Sequence, residues 1–123
     1  MNTKPLTNIA PDIFRKRLLI EGFYTREVSV DTISEYFSHI TGELRLLTYG
    51  EPIIHETSGK GKEINQGYDA FVPLIDSGIY IGVWSNKRFL STILYTCADF
   101  DDQKAVRLVK EFFQMSEVQS AIF

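Results

Sequence analysis

From Asp76 to Cys97 the chain is organised as one unit. An acid–serine pair opens it, an apolar run from Ile79 to Trp84 follows, and Ser85-Asn86-Lys87-Arg88 interrupts. A second apolar run from Phe89 to Thr96 then ends at a Thr-Cys pair. Two β-type runs joined by a short polar turn must satisfy each other's backbone groups, so the spacing predicts an antiparallel hairpin. The same segment carries the chain's single cysteine and single tryptophan.

The flanking sequence extends this ribbon into a sheet. Tyr68 to Ile75 is a further strand, and Pro73 within it predicts an edge position or a bulge, because proline has no N–H for a central ladder. Leu18 to Phe23, Leu44 to Thr48 and Ile53 to Thr57 have the same character, the last two divided by a Tyr-Gly-Glu-Pro turn. Ser58 to Gly67, rich in glycine and lysine, is a loop. Residues 117–123 form a short final strand.

Two helices interrupt the strands. Asp31 is placed to cap the first, whose Ile33, Phe37 and Ile40 recur at i, i+4 and i+7 as one buried stripe, and Gly42 closes it. The second begins near Asp101, where Asp99, Asp101 and Asp102 complement the positive helix end, and Ala105, Leu108, Val109 and Phe112 form its inner face. The order β-α-β-β-β-β-β-α-(β) predicts an α+β fold of the α/β two-layer sandwich type: a largely antiparallel sheet with two helices on one face. Residues 1–14 form an N-terminal arm and 15–123 a single domain.

At 123 residues, one domain can bury its own core without a disulfide or metal. The single cysteine excludes an intrachain disulfide and fits a cytoplasmic location. A net charge of −3 argues against nucleic acid as a partner. The basic cluster Arg15-Lys16-Arg17 runs into an apolar strand and is a solvated strand edge. No signal peptide is visible, and no run reaches the roughly 18 apolar residues of a membrane span.

Most isolated motifs carry little chemistry. Gly59-Lys60-Gly61-Lys62 lacks the spacing and strand–helix context of a phosphate loop. His39 and His55 stand apart with no metal-ligand pattern, so no metal is expected. His55 is the better placed of the two to face a pocket. Taken singly, Cys97 is a small buried hydrophobe and Ser77 a turn residue.

Together, however, the segment resembles the bacterial type of S-adenosylmethionine decarboxylase. Asp76-Ser77 stands where that family has Glu-Ser, Val83-Trp84 where it has Thr-Trp, and Tyr95-Thr96-Cys97 where it has Phe-Thr-Cys. The serine-to-cysteine separation matches without a gap. Arg17 to Glu21 resembles the family's first strand, and Asp99 to Phe113 its acid-led helix. The resemblance spans most of residues 15–115.

The resemblance implies a self-cleaving proenzyme in which Ser77 becomes a pyruvoyl group, an electron sink for the substrate amine, and Cys97 donates a proton. It implies Asp76, Ser77 and Cys97 as catalytic residues and Glu21, His55, Trp84 and Asn86 as substrate contacts. It also implies a homodimer with shared sites and a place in spermidine biosynthesis. The sequence departs from the pattern at telling positions. Gly82 replaces the histidine that assists processing, Asn86 the glutamate that grips the ribose, Asp76 the glutamate before the serine, Gly78 another histidine, and Ala98 a glycine. The expectation is therefore an unprocessed relative with no cofactor, binding S-adenosylmethionine or another small ligand, paired with itself or with an active paralogue. An active pyruvoyl enzyme, with His55 in place of the missing histidine, and an interaction module sharing only the fold are the alternatives.

Overall fold

The structure, a computed structural model, describes residues 6–57 and 62–123. Its elements are β1 (Lys16–Tyr24), α1 (Val30–Leu44), β2 (Ile53–Glu56), β3 (Gly67–Leu74), β4 (Ser77–Trp84), β5 (Phe89–Thr96), α2 (Asp102–Phe112) and β6 (Met115–Ile122), with a short 3₁₀ turn at Glu63–Asn65. The strands form one antiparallel sheet in the order β2-β3-β4-β5-β1-β6. Both helices cover one face, giving the two-layer α+β architecture. Among the described residues no helix is long and apolar enough to cross a membrane.

Strand alternation sorts side chains between the two faces. Leu18, Ile20, Val72, Leu74, Ile79, Ile81, Val83, Leu90 and Leu94 point towards the helices and are buried. They meet Ile33, Tyr36, Phe37 and Ile40 of α1 and Ala105 and Val109 of α2. At the centre the Tyr36 phenol donates to Thr92 Oγ1 at 2.9 Å, because the Thr92 hydroxyl proton is committed to the Tyr80 carbonyl at 2.7 Å. Burial holds the Tyr36 phenol far above its ordinary pKa.

The helix ends differ from expectation. Ser29, not Asp31, caps α1, because Ser29 and Thr32 exchange side-chain and backbone hydrogen bonds in a capping box. Asp31 sits in the first turn. The helix also runs through Gly42. Arg45 takes the left-handed position (φ 57°), with its N–H on the Gly42 carbonyl and that of Leu46 on the Thr41 carbonyl. For α2 the expected cap is present, Asp101 accepting from the Lys104 N–H at 3.0 Å.

Two strand expectations are corrected. Leu44 to Thr48 is not a strand: the helix end consumes its first residues, and only Thr48 bridges to Leu74. Nor is β3 an edge strand, since β2 lies outside it. β2 pairs only from Tyr68 to Phe71, however, so Pro73 lies past its end. The Pro73 carbonyl accepts from Tyr49 N–H, so the missing donor costs no ladder bond. The glycine–lysine run at 59–62 lies outside the described residues except for Lys62, which precedes the 3₁₀ turn.

Candidate functional site

The site begins at the β3–β4 turn. Leu74 pairs with Ser77, leaving Ile75 and Asp76 as a two-residue connection. Asp76 is left-handed (φ 59°), a conformation that aspartate tolerates better than most residues. The 47–49 segment braces this turn: Ile75 N–H donates to the Leu47 carbonyl at 3.0 Å. Ser77 is therefore the first residue of β4 and is half-buried, not a free turn residue.

Cys97 lies one residue beyond β5, and its N–H donates to Ser77 Oγ at 3.0 Å. It is exposed, which corrects the buried-hydrophobe expectation: the strand's alternation has ended and the chain bends at 97–98. Thr96 Oγ1 fixes that bend by donating to the Ala98 carbonyl at 2.7 Å. Lys16 anchors the segment leading into α2, reaching Asp99 at 3.2 Å, Asp102 at 3.0 Å and the Phe100 carbonyl at 2.6 Å. Burial lowers the Lys16 pKa, but its hydrogen bonds to Asp102 and Asp99 outweigh this and raise it overall. The hydrogen bond from Lys16 holds the Asp102 carboxyl below its ordinary range.

Asp76 and Ser77 border two cavities. One, of about 270 Å³, lies between the end of α1 and the hairpin and is lined by Arg45, Leu46, Leu74, Asp76, Ser77 and Cys97 among others. The other, of about 400 Å³, lies on the sheet face away from the helices, among Phe71, Ser77, Gly78, Tyr80, Ile93 and Tyr95. Neither is lined by a histidine. His39 stacks on Phe112 with centroids 5.7 Å apart, and His55 is paired across the ladder with Asp69. Among the described residues no His, Cys, Asp and Glu side chains gather as a metal site would.

Of the remaining sequence-derived candidates, Glu21, His55 and Trp84 occupy the open sheet face and Asn86 the β4–β5 turn, and none reaches Ser77. Register aligns Gln119, Glu21, Ser91, Gly82, Asp69 and His55 in one row across all six strands. Glu21 accepts from Ser91 at 3.1 Å and from Gln119 at 3.2 Å. This row crosses β4 five residues from Ser77, about 16 Å along the strand. Trp84, packed on Phe89 at 5.5 Å, and Asn86 in the exposed turn lie farther still, with Trp84 about 23 Å from Ser77 along β4. The structure thus brings Asp76, Ser77 and Cys97 together and leaves Glu21, His55, Trp84 and Asn86 apart from them within one chain. Between the two groups, the Tyr80 and Trp84 side chains cover Gly82. The Tyr80 hydroxyl donates to Asp69 at 3.2 Å, and burial, then the Asp69 charge, raises its pKa.

The fold is similar to that in the crystal structure of the adenosylmethionine decarboxylase from Aquifex aeolicus VF5. The two superpose with a TM-score of 0.73 over 90% of this chain and 89% of that one, at 14% identity. This chain shares that fold. No protein-family model matches the chain, and no curated protein matches it significantly in sequence.

Sequence reasoning overlooked three contributors. Arg45 has the look of a strand residue, yet the helix end places it on the cavity that Asp76 and Ser77 also line. Tyr80 and Tyr95 are outward members of strands that read only as apolar runs; strict alternation from Ile79 is the signal that could have found them.

Proposed function

We propose that this chain is an unprocessed relative of the S-adenosylmethionine decarboxylases that binds S-adenosylmethionine, or a ligand of that kind, in the open-face cavity beside Ser77. The observation that carries this is that Ser77, which accepts from the Cys97 N–H, borders a cavity lined by no imidazole. A pyruvoyl group, in enzymes that make one, supplies an electron sink for an amine substrate. The residues around Ser77 do not fit its formation. The proton-transferring side chains beside the hydroxyl are Asp76 and the Cys97 thiol, and Gly82 supplies none. The lack of an imidazole there is the ground for reading the chain as unprocessed.

The ligand would rest on Phe71 and Tyr95, beside the backbone of Ser77 and Gly78. Cys97 and Asp76 would position the serine from behind. The open face also argues for pairing. Phe23, Phe71, Tyr80 and Tyr95 are 37–42% exposed on one surface, apolar area that a partner copy would cover. A homodimer through this face would bring the Glu21 row and Trp84 of one copy towards Ser77 of the other.

Intact-mass measurement after long incubation tests the first part, with a single 14.1 kDa species expected. Two complementary fragments, one bearing a modified serine, would overturn it. Calorimetric titration with S-adenosylmethionine tests the ligand, with heat expected for the wild type and weaker binding for Phe71→Ala. Absence of heat at millimolar ligand would sink it. Light scattering showing a monomer would remove the dimer.

A further inference from the structure

The cavity on the helix side of Ser77 is lined by two residues of opposite charge that are not paired with each other. Arg45 and Asp76 both line it. Among the described residues the ion pairs are Lys16–Asp99, Lys16–Asp102 and Lys104–Glu43, and neither Arg45 nor Asp76 makes a side-chain hydrogen bond or ion pair. Opposite charges lining one space would gain by meeting, yet among the described residues these two form no ion pair with each other. Arg45 is fixed by the paired hydrogen bonds that end α1, and Asp76 by the hairpin turn. Both are held left-handed, at φ 57° and 59°. At both positions the conformation serves a chain reversal, ending α1 at Arg45 and closing the hairpin at Asp76.

We propose that this cavity binds a free α-amino acid with a short apolar side chain. The Arg45 guanidinium takes the carboxylate, for which its planar fork is matched, and the Asp76 carboxylate takes the ammonium. Leu46, Leu47 and Leu74 provide an apolar wall for the side chain. The volume of about 270 Å³ is below the ~300–1,000 Å³ of sites for drug-sized ligands, so the space suits an amino acid and not a nucleoside conjugate. Asp76 and Ser77 form the partition between this cavity and the one on the open face. An amino acid bound here therefore touches the serine's turn from behind. The site goes beyond the function proposed above and does not depend on it.

Amide NMR spectra of the full chain, titrated with L-leucine, test the proposal. Saturable shifts are expected at 45–47 and 75–77. Arg45→Gln and Asp76→Asn should each weaken binding about tenfold or more; asparagine is chosen because it accepts the left-handed conformation. Wild-type protein provides the arm that needs no variant: 4-methylpentanoate, which lacks the ammonium, and 3-methylbutylamine, which lacks the carboxylate, should each bind about tenfold or more weakly than leucine. No shifts at tens of millimolar leucine, or equal binding of all three compounds, would overturn the assignment. Loss of S-adenosylmethionine heat with the leucine shifts intact would overturn only the S-adenosylmethionine reading.

Discussion

The backbone N–H of Cys97 donates to the hydroxyl of Ser77 over 3.0 Å, joining the end of β5 to the start of β4. The two residues are twenty positions apart, and the ladder between Gly78 and Tyr95 brings them level. Ser77→Ala removes the acceptor while water can still reach the exposed cysteine. The expected loss is about 0.5–1.5 kcal/mol in urea unfolding. Amide exchange at Cys97 should quicken in the same variant; unchanged exchange would show that the bond does not form in solution.

Tyr36 and Thr92 form a buried relay whose two ends are unequal. Tyr36→Phe removes a donor and leaves Thr92 bound to the Tyr80 carbonyl, at a cost of about 0.5–1.5 kcal/mol. Thr92→Val strands the buried phenol and should cost more, about 1–3 kcal/mol. In the double variant the losses should be less than additive, because the phenol that Thr92→Val strands is gone. Additive losses in a double-mutant cycle would contradict the relay.

Lys16 and Asp102 make stability depend on pH in a defined window. Asp102 has a lowered folded pKa, so its contribution is present above the unfolded carboxylate value near ~3.9 and is lost as pH falls through the folded value. Lys16 has a raised folded pKa, so its contribution is present below ~10.4 and is lost as pH rises through the folded value. Lys16→Met should therefore lower the melting temperature most between about pH 5 and pH 10, with the two proteins converging at either extreme. A difference that is constant with pH would assign the effect to packing.

Two glycines on the sheet should respond differently to alanine. A Cβ at Gly22 would fall on the Glu117 carbonyl, where β6 crosses β1 beside a register shift. Gly22→Ala is expected to cost about 1–3 kcal/mol or more, since backbone must move. A Cβ at Gly82 would meet the Tyr80 hydroxyl at 2.8 Å and the Trp84 ring at 3.2 Å, both movable side-chain ends. Gly82→Ala should stay within about 1 kcal/mol of wild type, because alanine also restricts the unfolded chain. Equal losses in chemical denaturation would argue against this difference.

The parts of the fold legible in the sequence are those with a strong period. The alternation of Ile79, Ile81 and Val83, and the i, i+4, i+7 spacing of Ile33, Phe37 and Ile40, report directly which side is buried. Leu44 to Thr48 misleads because its leucines look like a strand, whereas tertiary closure of α1 uses Arg45 and Leu46 to end the helix. The site is legible where the chain neighbours are also ladder neighbours, as at Asp76, Ser77 and Cys97. Trp84 and Asn86 lie close to them in sequence but are carried away by the extension of β4 itself. Arg45 is hidden for the converse reason: it reaches the site only through a turn whose geometry no local pattern announces.

The strand order does not follow the chain order, and this has a consequence at the Asp76–Ser77 bond. Everything before that bond contributes β1, β2 and β3; everything after it contributes β4, β5 and β6. In the sheet β4 lies against β3, while β1 is inserted between β5 and β6. The two halves are interleaved like the fingers of folded hands. A nick at this turn would cut the polypeptide without opening the sheet, and each half would have to find the other to complete its own ladders.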